Sequence, residues 1–273
     1  MLISIITPSY NQAAFLEETM LSVLRQDYAK IEYIVIDGGS TDGSQKIVQK
    51  YEGKLAHWIS EKDSGQVDAI MKGFRKATGD VLAWVNSDDL LAPSAVRIAT
   101  DYLTAYPSVG LVYGDRLHID AKGNVIGINQ GPSFYAQMLS RDITIPQETT
   151  FFRRTFFEKV GGLDQDLHFS MDFDLWCKLQ KITIFKHAPA FLGSYREHAC
   201  SKSIILNEQT GEVSSKFKRE QQLVFKRHFG RELPGKSSVR WYRLLHKVKF
   251  LRESQTRSYC EERARIRRLI EQP

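Results

Sequence analysis

Cysteine is scarce in this sequence, and its few copies have no spacing that suggests a shared function. The three cysteines, Cys177, Cys200 and Cys260, are scattered along 273 residues. This scatter excludes a disulfide-stapled fold and a metal site built on paired cysteines. We therefore expect a protein of a reducing compartment, with buried or idle thiols.

Long apolar runs, a leader segment and low-complexity stretches are also missing. The first residues pass directly into a β-rich run at Ile3, without a basic segment, an apolar stretch and a small-residue cleavage site. No apolar run reaches the length that a bilayer requires. These absences predict a soluble cytoplasmic protein that folds as one large core, or as a core with an appendage.

The charge is divided unevenly along the chain. From Lys216 onward, 17 Lys and Arg stand against 6 Asp and Glu, a net charge of +11, whereas residues 1–215 carry −5. In residues 236–273, Trp241 and other apolar residues recur at helical spacing with basic residues beside them. This pattern is typical of a helix on an anionic membrane, and also of a helix packed on its own domain. No nucleic-acid motif accompanies it, so we expect no nucleic-acid partner.

Three short β-rich runs each end in a polar turn. The runs are residues 3–6, 33–36 and 79–85. The turns that follow them are residues 7–11, 37–42 and 86–89. Because the carboxyl ends of parallel strands meet at one edge of a sheet, we expect these turns to form one ligand site. The sequence predicts an α/β fold, Rossmann-like, with a mostly parallel sheet flanked by helices.

Asp88 and Asp89 stand directly after the third of these runs. Two adjacent acids repel each other, and a divalent cation is the simplest compensation. Carboxylate oxygens favour Mg²⁺ or Mn²⁺, which usually also bind a substrate phosphate. The alternative is a plain polar loop in which Asp89 precedes a helix that begins near Pro93.

The motifs together resemble those of the family 2 glycosyltransferases, which are inverting enzymes with the GT-A fold. The matching segments are residues 5–11, 37–42, 63–73, 86–89, 161–164 and 171–176. The resemblance covers about residues 2–205. It implies transfer of a sugar from a nucleotide-diphosphate sugar to a hydroxyl acceptor, such as a glycan or a lipid-linked glycan, with Mn²⁺ or Mg²⁺ as cofactor.

The resemblance also implies a division of the chain. A GT-A domain would span residues 1–207, with a nucleotide-binding half at 1–111 and an acceptor-binding half at 112–207. A basic helical extension would follow at 208–273. If that extension touches anionic lipid, the protein would be peripheral on the inner face of the cell membrane, which would suit polysaccharide biosynthesis.

The first two turns are implied to contact the donor nucleoside. Thr7, Pro8 and Tyr10 match the opening motif of the family, where Tyr10 would stack on the base and Thr7 would form a hydrogen bond to it. Asp37 matches the nucleoside-contacting acid, although Gly38 stands where many relatives have a second acid. A UDP-sugar is the favoured donor.

Five further residues complete the implied donor site. Asp63 and Asp68 match acids near the nucleotide, and Asp68 alternatively caps the helix that follows it. Asp88 matches the last acid of the Asp-any-Asp signature and is the implied metal ligand. Asn86 replaces the first acid, so it would contact ribose or a metal-bound water. Ser87 lies between them.

Asp172 is the implied catalytic base, because the family motif has an acid here that faces the acceptor. Met171 stands where many relatives have another acid. The alternative is that Asp172 or Asp174 only favours the amino-terminal dipole of a helix.

The remaining implied residues lie on two loops. Arg196 and His198 resemble an element that closes over the diphosphate, with Arg suited to phosphate and His to a metal. A surface histidine without a ligand is the alternative. Residues 146–149 would line the acceptor pocket, or would form a plain turn into a buried strand.

Two other functions remain open at this point. A GT-A domain that binds nucleotide sugar without turnover, or that serves as a scaffold, is favoured mildly by Asn86 and Met171. A phosphohydrolase with Asp37 as nucleophile is more distant, since Gly39 stands where such enzymes have a second acid.

Overall fold

The chain folds around one mixed β-sheet. A computed structural model describes residues 1–131, 139–141, 145–199, 201 and 212–234. The strands of this part are β1 (Ile3–Ser9), β2 (Ile31–Asp37), β3 (His57–Ser60), β4 (Val81–Trp84), β5 (Leu90–Leu91), β6 (Val109–Ile119), β7 (Val125–Asn129), β8 (Phe151–Arg153) and β9 (Ile184–Arg196). The helices are α1 (Leu16–Leu24), α2 (Ser44–Lys50), α3 (Gln66–Lys76), α4 (Ala95–Ala105), α5 (Arg154–Lys159), α6 (Met171–Leu179) and α7 (Glu212–Phe229). Short 3₁₀ turns occupy Glu52–Lys54, Leu139–Arg141 and Gln147–Thr149.

The described strands follow the order β3-β2-β1-β4-β8-β6-β9-β5, with β7 paired to β6. The first four are parallel to one another, as the sequence predicts for β1, β2 and β4. Antiparallel strands join in the second half, where β8 lies between β4 and β6. β6 and β9 form a long parallel pair at the far side. The predicted α/β fold is therefore confirmed.

The strand β1 is buried on both faces, and this explains its unbroken apolar run. Successive side chains of a strand point to opposite faces of the sheet. Ile3 and Ile5 belong to a core cluster with residues of α1 and α4, whereas Ile6 belongs to a second cluster with residues of α3. At Gly73 of α3, an added Cβ would lie 2.6 Å from Ile6 Cγ2, so only glycine allows the helix this close.

The register of the parallel strands aligns the three predicted turns. Ser9 lies opposite Asp37, and Ile6 lies opposite Trp84. The chain segments that follow β1, β2 and β4 therefore leave the sheet at the same edge, in agreement with the sequence prediction. This edge is where open α/β sheets bind ligands.

Helix α7 packs into the main core, although the sequence predicts a separate extension from residue 208. Val224 and Phe225 are fully buried. The Phe225 ring is stacked with that of Phe173 on α6, with centroids 6.4 Å apart. The proposed boundary thus precedes a helix that completes the core. The amphipathic segment with Trp241 lies outside the described residues.

No described helix is both long and apolar enough to cross a membrane. Cys177 is a free, buried thiol on α6. Burial raises the pKa of Cys177, so this thiol is unreactive, as predicted. Cys200 and Cys260 lie outside the described residues.

Candidate functional site

A cleft of about 960 Å³ opens where the three turns meet. Its lining includes residues of all three turns, of the loop before α6, and of α6 and α7. Seven of the predicted site residues line it: Pro8, Tyr10, Asp63, Asn86, Ser87, Asp88 and Asp172. Five others, Thr7, Asp37, Asp68, Arg196 and His198, are not in its lining.

Some side chains of the first turn face the cleft, and others are buried in the core. Tyr10 is 62% exposed, so its ring is available for stacking. Thr7 is fully buried and its hydroxyl is hydrogen-bonded to Tyr33 Oη at 3.0 Å. Thr7 therefore links β1 to β2 and has no surface in the cleft.

Asp37 is also fully buried. Its carboxylate accepts hydrogen bonds from the backbone N–H groups of Gly39 and Ser40, and from the hydroxyls of Ser40 and Ser60. These bonds shape the second turn. A carboxylate that is buried and occupied in this way has no access to a phosphate, which counts against the phosphohydrolase.

Asp63 occupies the space beside Gly38. An added Cβ at Gly38 would lie 2.6 Å from Asp63 Oδ2. The Asp63 carboxylate also accepts a hydrogen bond from Gly65 N at 2.9 Å. Glycine at position 38 therefore makes room for an acid that comes from another loop.

Asp68 stabilises the start of α3, as the alternative prediction had it. Its carboxylate accepts a hydrogen bond from Ser64 N at 3.1 Å and pairs with Lys72 at 3.4 Å. Slight burial opposes ionisation, but these two partners outweigh it and lower the pKa of Asp68. It lines a smaller neighbouring cavity of about 290 Å³.

Both the oxygen and the nitrogen of the Asn86 side-chain amide are hydrogen-bonded. Its oxygen accepts a hydrogen bond from Gln66 Nε2 at 2.7 Å. Its nitrogen donates to Asp89 Oδ2 at 3.1 Å and to Gln147 Oε1 at 3.4 Å. Gln147 in turn donates to the carbonyl of Trp84 at 2.7 Å. Asn86 is thus the centre of a network, and the sequence motifs gave no role to its partner Gln66.

Asp89 is buried beneath this network. Burial raises the pKa of Asp89 well above its ordinary value, and the nearby charges of Asp88 and Glu148 raise it further. Its other oxygen accepts the backbone N–H of Arg196 at 3.0 Å. Asp89 therefore supports Asn86, and although it contributes to the cleft lining it is only 2% exposed.

Asp88 and His198 form the pair predicted to hold a metal. His198 Nε2 lies 3.1 Å from Asp88 Oδ2. The backbone of His198 is fixed by Ser201, whose hydroxyl accepts its N–H at 3.0 Å. Among the described residues, no group of three or more His, Cys, Asp or Glu side chains could hold a metal ion. A carboxylate and an imidazole suit Mn²⁺ or Mg²⁺ when a substrate diphosphate supplies further oxygens.

Arg196 lies beneath this pair, whereas the resemblance implies that it contacts the diphosphate. Its side chain is 1% exposed and donates to the carbonyls of Asp88 and Asp120 and to Glu18 Oε2, the last at 2.6 Å. The ring of Phe15 covers the guanidinium at 5.1 Å. Arg196 therefore fixes the backbone of Asp88, because its donors are already committed inside the protein.

Asp172 lies at the start of α6 and lines the other end of the cleft. Burial raises the pKa of Asp172 to about 6, and the charge of Glu148 adds to this rise. The backbone N–H of Phe173 donates to its Oδ1 at 2.7 Å. A carboxylate with this pKa is ionised at neutral pH and is well suited to accept a proton.

Glu148 and Arg116 complete this end of the cleft. Glu148 is buried and lies 3.5 Å from Arg116 Nη1. Glu148 belongs to residues 146–149, which the sequence places at the acceptor pocket. Arg116 stands on β6, outside every motif, and the pairing of β6 with β7 and β9 in the folded sheet brings it to the cleft.

Curated relatives of the chain are glycosyltransferases. The chondroitin synthase of Escherichia coli is 27% identical over 188 residues, which are 68% of this chain and 27% of that protein. An uncharacterized glycosyltransferase of Mycobacterium tuberculosis is 33% identical over 179 residues, 62% of this chain and 65% of the relative. The chain thus spans less than two thirds of the length of either relative.

Solved structures of two transferases have the same fold. TarS of S. aureus in complex with UDP-GlcNAc superimposes with a TM-score of 0.63 at 17% identity, over 85% of this chain and 74% of that one. The mannosyltransferase PcManGT of Pyrobaculum calidifontis in complex with GDP-Man and Mn²⁺ gives a TM-score of 0.59 at 18% identity, over 98% of this chain and 84% of that one.

The sequence itself decides the family. The sequence model of Glycosyl transferase family 2 matches residues 4–163, which are more than half of the 273 residues and contain all three turns. By this match, the chain belongs to glycosyl transferase family 2.

Proposed function

We propose that the protein transfers a sugar from a nucleoside-diphosphate sugar, with a UDP-sugar favoured, to a hydroxyl group of a glycan or lipid-linked glycan, with inversion at the anomeric carbon. One observation carries this proposal. A single cleft is lined by Asp88, next to the turns of the nucleotide-binding half, and by Asp172, a carboxylate with a raised pKa.

The donor end of the cleft supports nucleotide binding. Tyr10 offers an exposed ring for a base, and Gly38 and Gly39 line the cleft without side chains. Asp63 stands beside them as a hydrogen-bond acceptor for sugar or base. These groups suit a nucleoside, because an aromatic face and a few placed polar groups are what such ligands require.

The acceptor end supports removal of a proton. In an inverting transfer, the acceptor oxygen forms a bond to the anomeric carbon while the bond from that carbon to the diphosphate breaks. The acceptor proton passes to Asp172, which is ionised at neutral pH. The nucleoside diphosphate leaves from the opposite side.

Asp88 and His198 are the residues that would hold Mn²⁺ or Mg²⁺. The ion supplies positive charge that offsets the charge of the departing diphosphate. Arg196 fixes the Asp88 backbone, and Asp89 fixes Asn86, so the carboxylate of Asp88 is held at the cleft before any ligand binds.

A thermal-shift panel tests the donor half of this proposal. UDP, GDP, CDP and dTDP are each added with Mn²⁺, Mg²⁺ or a chelator to the wild type and to Asp88→Ala. A nucleotide at a hundred times its dissociation constant stabilises the fold by about 2.7 kcal/mol, which moves the midpoint by roughly 5–10 °C. We expect a metal-dependent shift with UDP that is lost in Asp88→Ala.

Asp101→Ala is the control, because Asp101 is an exposed acid on α4 far from the cleft lining. It should shift like the wild type. A folded wild type that responds to none of the four nucleotides would refute the proposal and favour a scaffold role.

A further inference from the structure

We propose that Phe169 and Phe217 form an aromatic wall of the cleft against which a sugar ring of a saccharide acceptor stacks. The inference rests on the proposed function and adds the residues that would hold a sugar ring of the acceptor. It also gives α7 a direct part in substrate binding, although Phe217 lies beyond residues 4–163, where the family match ends.

The two rings form one surface at the acceptor end. Both line the cleft and both are partly exposed. Their centroids are 6.0 Å apart and their planes are nearly perpendicular, at 85°. Phe169 stands three residues before Asp172 in the sequence. The wall therefore stands beside the group that would accept the proton of the acceptor hydroxyl.

The wall is held in place by a carboxylate of α7. Glu220 accepts hydrogen bonds from three consecutive backbone N–H groups, those of residues 168–170, at 2.6–2.7 Å. The bonds join the helix that carries Phe217 to the segment that carries Phe169. Because these bonds fix the backbone that carries both rings before ligand binds, less conformational entropy is lost on binding.

The groups around the wall favour a sugar over an alkyl chain. Glu148, Arg116 and Asp172 line the same cleft and are hydrogen-bonding groups. The face of an aromatic ring is electron-rich and attracts the C–H groups on one face of a pyranose, while the hydroxyls at its edge reach polar partners. An alkyl chain would displace water from these polar groups without replacing its hydrogen bonds, at a cost in binding free energy.

The test uses variants of Phe217 and simple glycosides as probes. Methyl glycosides of glucose, galactose, mannose and N-acetylglucosamine, together with octyl glucoside, are measured by saturation-transfer NMR, with and without UDP and the diamagnetic ion Mg²⁺. Phe217→Leu keeps an apolar side chain and removes the ring, and Phe217→Ala removes both. Leu223→Ala is the matched control, since Leu223 is 53% exposed on the same helix and does not line the cleft.

We expect at least one methyl glycoside to receive saturation on its ring protons in the wild type. Its affinity should fall about five- to tenfold in both Phe217 variants and remain unchanged in Leu223→Ala. Equal affinity in Phe217→Leu and the wild type would overturn the inference. The inference would also be overturned if the wild type bound no methyl glycoside. The same holds if it bound octyl glucoside only through the alkyl chain of that glycoside.

The result is independent of the donor proposal. Glycoside binding is measured directly, so a protein that binds a glycoside but no nucleotide would refute the proposed transfer alone. Conversely, a nucleotide shift together with unchanged glycoside binding in the variants would refute only the aromatic wall.

Discussion

Asn86 occupies the position where the family signature has its first acid, and its neighbours give a physical reason for the difference. The amide nitrogen donates to the buried carboxylate of Asp89 at 3.1 Å. A second carboxylate at position 86 would face that carboxylate directly, and two buried acids at this distance cannot both ionise. The amide of Asn86 donates a hydrogen bond to the Asp89 carboxylate, whereas an ionised acid at position 86 would repel it.

Asn86→Asp should therefore destabilise the protein in a pH-dependent way. At pH 8 we expect a loss of about 1–3 kcal/mol, because the amide donor to the buried Asp89 carboxyl is replaced by a second acid, and two ionised acids at this distance repel each other. At pH 5 the loss should be smaller, since one of the two carboxyls can hold a proton and donate again. Urea denaturation at the two pH values measures the difference.

The chain offers a matched surface pair as control. Asn124 Nδ2 donates to Asp120 Oδ2 at 2.9 Å in an exposed turn. Asn124→Asp makes the same change of charge in water, so its effect should stay within about 0.5 kcal/mol. Equal losses at the two sites would show that burial of Asp89 is not the cause.

Asp172→Asn should abolish sugar transfer and leave nucleotide binding intact. General base catalysis contributes roughly 10²–10⁴-fold, so residual turnover should lie below about 1% of wild type. In the wild type, kcat should rise with pH through the pKa of Asp172 at about 6, because only the ionised form accepts a proton. Release of nucleoside diphosphate from the nucleotide sugar is the assay, and Asp166→Asn, an exposed neighbour, is the control.

The same substitution should stabilise the fold above pH 6. The native carboxyl of Asp172 holds its proton up to about pH 6, whereas an unfolded one releases it near pH 4. Ionisation therefore costs more in the native state, and the wild type loses stability as pH rises through this window. The amide introduced by Asp172→Asn does not ionise, so the variant should gain about 1–3 kcal/mol relative to wild type at pH 7 and nothing below pH 4. Urea denaturation across this pH range measures the gain.

At the scale of elements, the packing of α7 against α6 positions the residues at the acceptor end of the cleft. Asp174 on α6 is bonded to His228 Nε2 at 2.7 Å and to Lys178 Nζ at 2.7 Å. Burial alone would raise the pKa of Asp174, but these bonds outweigh it and lower the pKa to about 2. Together with Glu220 in the middle of α7, whose carboxylate binds the segment before α6, Asp174 holds the two helices against each other.

Removal of the Glu220 carboxylate should loosen the start of α6. Glu220→Ala leaves three backbone N–H groups without their acceptor, so we expect a loss of about 1–3 kcal/mol and faster hydrogen exchange at residues 168–174. Exchange elsewhere in α6 should change less. Hydrogen-exchange mass spectrometry measures both.

Glu158→Ala serves as comparison, because Glu158 is 63% exposed and pairs with Arg154 only at 3.9 Å. A surface pair of this kind contributes little. If the two variants exchange alike at residues 168–174, then Glu220 does not hold that segment.

For the whole molecule, the sequence predicts the first half of the sheet better than the second. The apolar runs at 3–6, 33–36 and 79–85 became β1, β2 and β4, because each is a local pattern followed by its own turn and helix. The long pair β6 and β9 and the docking of α7 depend on contacts between distant segments, which no local pattern encodes.

The prediction of the site from the sequence has a similar limit. A motif identifies a turn, but it does not say which side chain faces the ligand. Tyr10, Asn86, Asp88 and Asp172 face the cleft, whereas Thr7, Asp37 and Arg196 turn inward and build the turns. Their hydrogen-bond partners, Tyr33, Ser60 and Glu18, lie on other elements, so only the fold reveals this division.

The basic pattern at 236–273 is typical of a helix on anionic membrane and also of a helix packed on its own domain, and an experiment on the full chain distinguishes the two. Flotation with vesicles that contain phosphatidylserine should recover the protein at low salt, and removal of residues 236–273 should abolish recovery while the nucleotide shift persists. Neutral vesicles are the control. Unchanged recovery after truncation would refute membrane binding by this segment.

The position of α7 in the chain has a consequence for the order in which the protein becomes competent. The turns that face the donor end at Asp89, whereas Phe217 and Glu220 belong to the last described helix. Translation at ordinary rates separates the two by on the order of 10 s. During that interval the nascent chain lacks Phe217 and Glu220, so the proposed aromatic wall and the bonds that hold it form only well after the donor turns have been synthesised.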